Sequence, residues 1–217
     1  MIDKAPTLEV MRGWVAKHRQ KQTPIQQFDI SIDVNGQWFH EGSPIRREKM
    51  VALFASILTR LDDGQFALVT PGEIGIIAVA DAPFIITKME IVDPNDDPVD
   101  VSGDDPGNES GNDLGKISCK DRVIQLMTLH GDIVTLDADH RIILRQKDGS
   151  EKPYIIVRGG LEALINRAVY YELVDASVEH DGQVGVWSAG LFHPLSDEQL
   201  SDQRLSDELS PASNDDL

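Results

Sequence analysis

Cysteine is almost missing from this sequence: Cys119 is the only one in 217 residues, so neither an internal disulfide nor a thiolate metal cluster can form. Apolar runs fall well short of the ~18–20 residues that cross a bilayer, so no membrane span is expected. The opening MIDKAPTLEVMRGWVAKHRQ carries Asp3 and Glu9 and lacks an apolar stretch with a small-residue cleavage site, so it does not read as a secretory signal. A cytoplasmic location is expected. Bases are scarce, with 20 Lys and Arg against 37 Asp and Glu and a formal net charge of −17. Duplex nucleic acid is thereby excluded as a partner, because it needs a basic stripe that releases many counterions.

The usual signatures of catalysis are also missing. No H-E-x-x-H is present and the six histidines never fall at i, i+4, so no metal is expected. Ser188 in GVWSAG lacks the Gly two residues before it that a nucleophile elbow requires. Without a Walker loop or a G-x-G-x-x-G, the common phosphate cradles are absent and no cofactor is expected. Asp93, Asn95 and Asp97 alternate as in an EF-hand loop, but Pro98 stands where its Gly belongs and Asp104 where its bidentate Glu belongs. Cys119 follows an acidic stretch, which favours an inert thiol despite Lys116 and Lys120 nearby.

The acidity that is present is concentrated. Residues 93–113 hold eight acids and no base, and residues 196–217 hold seven acids and one Arg, leaving a net −3 for the rest of the chain. The body is therefore nearly neutral and can still meet a small anion. Both segments lack the apolar residues that offset ordering entropy, so residues 93–116 are expected to be a disordered insertion and 196–217 a solvated tail.

Between these segments, periodicity predicts an α+β chain. Leu8, Met11 and Val15 share a helical face from Thr7 to His18. From Phe28 the period changes to two, and Asn35-Gly36 predicts a two-residue hairpin turn before QWFH. Ser43 as cap and Pro44 as first residue predict a helix over 44–61, with Met50, Leu53, Phe54, Ile57, Leu58 and Leu61 at helical spacing. Strands follow in QFALVT, IGIIAVA and FIITKMEIV, and beyond the acidic insertion in RVIQLMTL, DIVTLDA and RIILRQ. FALVTPGEIGIIAVADAPFIITKM is echoed by YIIVRGGLEALINRAVYYELV: aromatic, strand ending in Val, Gly-bearing turn, second strand, polar turn, aromatic-led third strand. Internal duplication explains the echo, and it makes LEALI a strand rather than a helix. Two related β-rich halves follow, residues 1–92 and 117–195.

Polar groups at two corners are the candidates for function. Trp38, Glu41, Ser43 and Arg46 surround the expected strand-to-helix corner, where backbone N–H groups and the helix dipole favour an anion that Arg46 can pair with bidentately. Equally, Ser43 can simply cap, Trp38 fill the core and Arg46 stay solvated. Arg158 and Glu162 occupy the equivalent corner of the second half, where a plain surface ion pair is the alternative. Tyr170, Tyr171, Trp187 and Trp38 can stack on a base or pack in the core, and Asp81 is most simply a turn-former.

GQWFHEGSPIRREKMVALFASIL, LVTPGE, VADAPF, VRGGLEALINRAVYYELV and GVWSAGLFHPL closely resemble, in order, the bacterial domain-of-unknown-function family twelve-eighty-five, from about Asp29 to Leu195. The resemblance implies a duplicated α+β core, a second half like a pleckstrin-homology barrel, and a small-ligand site between the halves. It further implies a nucleotide-like ligand and a signalling role, with no catalytic residue. The matching positions are Trp38, Glu41, Ser43 and Arg46, with Arg158, Glu162, Tyr170 and Trp187 from the second half. A binding module for a small anionic or nucleotide-like ligand is the leading expectation. The rivals are a hydrolase using Glu41 or Glu162 as base with His40 or His140, and a scaffold that binds a protein partner through exposed strand edges.

Overall fold

The computed structural model describes residues 6–92, 122–147 and 149–195. The EF-hand-like positions, Cys119 and both acidic segments lie outside the described residues. Helix α1 (Leu8–Gln20) begins at Thr7, whose side chain accepts from the Val10 N–H, and ends in Lys17, His18 and Arg19, which suit the negative end of its dipole.

Strands β1 (Gln26–Ile32), β2 (Trp38–His40) and β3 (Ser43–Pro44) form one antiparallel meander. After helix α2 (Glu48–Ser56), β4 (Leu58–Arg60), β5 (Phe66–Val69) and β6 (Ile74–Val79) form a second. The two meet where β1 runs parallel to β6, giving the sheet order β3-β2-β1-β6-β5-β4. A second sheet repeats this plan with β7 (Phe84–Val92), β8 (Val123–Thr128), β9 (Ile133–Thr135), β10 (Ile142–Lys147), β11 (Ser150–Arg158) and β12 (Leu161–Ile165). Its order, β9-β8-β7-β12-β11-β10, again joins two meanders through a parallel pair of first and last strands, β7 and β12. Topology thus shows the duplication, with β5 and β6 equivalent to β11 and β12, as the sequence echo expects. Helix α3 (Arg167–Asp175) and a small sheet of β13 (Val178–His180), β14 (Gln183–Ser188) and β15 (Leu191–Pro194) follow the second repeat.

Several expectations are corrected. The helix expected over 44–61 is only Glu48–Ser56: Ser43 and Pro44 pair with β2 at the sheet edge, where Pro loses no ladder bond, and Leu58–Arg60 pair with β5. Ser43 therefore caps nothing, and Arg47 holds the cap position without a side-chain bond. Helix α2 buries Val51 and Ala55; of the expected apolar positions, Phe54, Ile57, Leu58 and Leu61 pack against buried clusters, while Met50 and Leu53 stay substantially exposed. At Asn35-Gly36 the turn has three residues, with Gly36 alone at positive φ and Asp33 N–H bonded to Gln37. The two-residue turn with both residues at positive φ occurs instead at Glu41-Gly42 (φ 49° and 71°). The aromatic-led third strand of the second echo is helix α3, because Asn166 accepts from Val169 N–H at 2.8 Å and Val169 and Leu173 bury one face. Finally, Phe84–Val92, expected to close a first half ending at residue 92, is hydrogen-bonded inside the second sheet as its counterpart of β1.

The halves share one core. Trp38, Leu58, Phe84, Ile86, Leu126 and Leu161 are fully buried within a single apolar cluster drawn from both sheets. Truncating its centre removes contacts to both, so Phe84→Ala should cost about 3–5 kcal/mol. In urea the variant should still unfold in one transition by fluorescence and circular dichroism alike; two separate transitions would mean two independent cores.

Candidate functional site

The first turn of α2 opens onto a cleft of about 620 Å³ between the halves. Arg46, Glu48, Lys49, Val51 and Ala52 form one wall, Gly36 to Trp38 and Ile45 the floor, and Leu129 and His130 of the second sheet the far side. The corner is rigid: Ile45 N–H donates to Trp38 O at 2.8 Å, and the Gln37 side-chain amide donates to the same oxygen at 3.0 Å. The first N–H groups of a helix have no intrahelical acceptor, and no side chain caps them in α2. Arg46 and Lys49 have no ion-pair or hydrogen-bond partner among the described residues, and Glu48 is the one acid on this wall. Trp38 is fully buried and its indole N–H also lacks an acceptor. Burial pushes His130 below the ordinary imidazole pKa, against the opposing charge of Asp132 and a bond to the Gly36 backbone.

The predicted residues are therefore not one constellation. Trp38 and Arg46 border this cleft. Ser43 sits exposed on β3, and Glu41 faces a different cavity in the first half beside His40. Arg158 does not share the hollow with Arg46. Its guanidinium donates to Ala55 O at 2.6 Å and Asp132 at 3.1 Å, and lies over the Phe84 ring at 5.1 Å. Nor does it pair with Glu162, which is held by a bidentate fork from Arg145 at 2.5 and 2.6 Å. Tyr170 donates to Leu195 O at 2.7 Å and borders a separate groove along α3, while Trp187 packs with His180 and Phe192 in the small sheet. None of these aromatics, nor Trp38 against Phe54, offers a shared stacking platform. Ser188 is likewise committed, accepting from Ile124 N–H and donating to Leu136 O.

Sequence reasoning missed Asp81. Its side chain is only 4% exposed, paired with Lys147 at 2.6 Å and accepting from the Tyr154 hydroxyl at 2.9 Å. It lies in the linker between the repeats, so it fastens the end of the first to β10 and β11 of the second; the pattern Asp-Ala-Pro signals a turn and nothing of this pairing. Among the described residues no group of three metal-ligating side chains comes together.

Burial first, and then the Asp81 bond, raise the Tyr154 pKa to about 12. A raised pKa keeps the proton on in the folded state after the unfolded state has lost it, so this contribution to stability is complete below about pH 10. It should fall away as pH rises toward 12. Phenolate absorbance should show this late titration, and Asp81→Asn should lower it while leaving it above the ordinary value, since burial is the larger cause. Arg158→Ala should destabilise by about 1–3 kcal/mol through loss of its charge-assisted bonds to the Ala55 carbonyl and Asp132. Urea denaturation measures it.

No curated protein matches the chain. Two family models do: "Domain of unknown function (DUF1285), N-terminal domain" over residues 18–82, and "Protein of unknown function (DUF1285), C-terminal domain" over residues 116–195. The boundary at residue 82 agrees with β7 opening the second repeat. Among solved structures, a DUF1285 family protein from Silicibacter pomeroyi DSS-3 is 35% identical with a TM-score of 0.64, covering 81% of this chain and 84% of that one. One from Shewanella baltica OS155 is 24% identical with a TM-score of 0.46, covering 68% of this chain and 91% of that one. Identity above 30% over most of the chain and both domain models place the chain in the DUF1285 family.

Proposed function

We propose that this protein is a ligand-binding module that holds a small anion, nucleotide-like or simpler, in the cleft between its two β-rich halves. One observation carries the reading: Arg46 and Lys49 stand without protein partners at the uncapped N-terminus of α2, on a cavity of ligand size. Elsewhere the arginines and lysines near the seam are already satisfied, Arg158 by Asp132 and Lys147 by Asp81. A cation whose charge is spent internally adds little to ligand affinity; a free one beside backbone N–H groups adds much.

Binding is preferred to catalysis because two of the expected catalytic groups are committed to other partners, and Glu41 with His40 borders a different cavity from this cleft. Glu162 is held by Arg145, and His140 by Asp137 at 2.9 Å. In keeping with the family resemblance, the module would act in the cytoplasm and report its ligand to a partner protein; among the described residues no helix is long and apolar enough to cross a membrane.

Calorimetry on the full chain with sulfate, pyrophosphate and nucleotides tests this. Arg46→Ala and Lys49→Ala should each weaken anion binding about tenfold, the loss expected for one charge-assisted contact of ~1.4 kcal/mol. Burial lowers the His130 pKa, so its imidazole gains positive charge only below the ordinary imidazole range, and sulfate affinity should rise as pH falls through that region. No anion binding, or binding indifferent to both substitutions, overturns the reading.

A further inference from the structure

We infer that a second site, on the other side of α2 from the anion cleft, binds a small lipophilic cation such as an alkyl or aryl amine. At 100° per residue, Val51 and Ala52 of α2 face the first cleft while Leu53, Phe54 and the following Ile57 face the opposite way. There they wall a cavity of about 530 Å³ in the first half, closed by Trp14 from α1 and by β1 and β5. That volume falls in the roughly 300–1,000 Å³ typical of small-ligand pockets.

Its wall is built, not incidental. Phe28 lies across Gly75 so closely that a Cβ there would come within 2.3 Å of the ring, so the glycine makes room for the aromatic. Leu53 is 42% exposed, an apolar surface left facing the cavity and solvent rather than the core. The polar groups carry the specificity. Asp29, Glu41 and Glu73 border the cavity, with His40 as its one basic side chain and no Lys or Arg. Glu41 N–H donates to Asp29 O at 3.0 Å, which holds two of the acidic residues side by side, and Glu73 is fixed by reciprocal bonds with Thr70. None of the three carboxylates has an ion-pair partner among the described residues. Uncompensated carboxylates repel an anion and attract a cation, and the Trp14, Phe28 and Phe54 rings add faces to which an ammonium is drawn. An alkylammonium satisfies both features, its chain against the apolar wall and its charge at the acidic rim.

The inference uses other residues and the opposite ligand charge, so it stands or falls apart from the anion cleft. Calorimetry on the full chain with octylamine, octanol and octanoate at neutral pH tests it. Octylamine should bind at least about tenfold more tightly than octanol, and octanoate should not bind. Glu41→Gln combined with Glu73→Gln should reduce octylamine affinity about tenfold and leave octanol unchanged. Gly75→Ala, by displacing the Phe28 ring, should weaken both; should that variant not fold, Leu53→Ser at the exposed wall should do the same. Arg46→Ala should change none of these values. Absence of octylamine binding, equal binding of amine and alcohol, or indifference to the loss of the carboxylates overturns it.

Discussion

Arg158 fastens the two repeats together. From the end of β11 its guanidinium reaches the last turn of α2, the β8–β9 turn and the face of Phe84 at once. Each contact answers a separate need: Ala55 offers a carbonyl at the helix end, Asp132 offers charge, and the ring offers its electron-rich face. A cation at the C-terminal end also complements the helix dipole. Because α2 is held at that end by the other half, its N-terminus keeps a fixed position over the seam while its own N–H groups stay uncapped. The openness of the cleft thus derives from a tie made elsewhere, which explains why the two corner arginines, alike in sequence, have unlike roles.

Charge on this protein is divided into settled and unsettled groups. Asp81 with Lys147 and Tyr154, and Arg145 with Glu162, are closed sets in which each member answers another. Such sets orient elements and contribute specificity more than stability. Arg46 and Lys49 on one side of α2, and Asp29, Glu41 and Glu73 on the other, remain open. The body is close to neutral in sum while it presents local surfaces of each sign.

Alternation and turn residues made the strands legible, and the short echo around VTPGE and VRGGLE identified β5, β6, β11 and β12 as equivalents. What stayed hidden depends on contacts between distant residues. Ser43-Pro44 carries a strong helix-start signal, yet the Glu41-Gly42 turn folds those residues back on β2, and backbone pairing outweighs the local preference. Likewise Phe84–Val92 reads as a strand from its branched residues, but only the parallel ladder with β12 shows to which sheet it belongs. Of the proposed site, Arg46 and Trp38 were found from the corner they share; Lys49 and His130 were not, because a lysine on a helix and a histidine in a turn have no pattern that announces a common cavity.

The duplication also explains where the chain tolerates its long acidic stretch. In the first sheet, five residues join β1 and β2 between the paired Ile32 and Trp38. At the matching place in the second sheet the chain leaves at Val92 and returns at Val123, which face each other as Cα partners. A hairpin tip whose two ends already touch can lengthen without moving either strand, and the entropy of closing a loop rises only with the logarithm of its length. The number of residues joining these two ends can therefore change while the ladder below them stays in register.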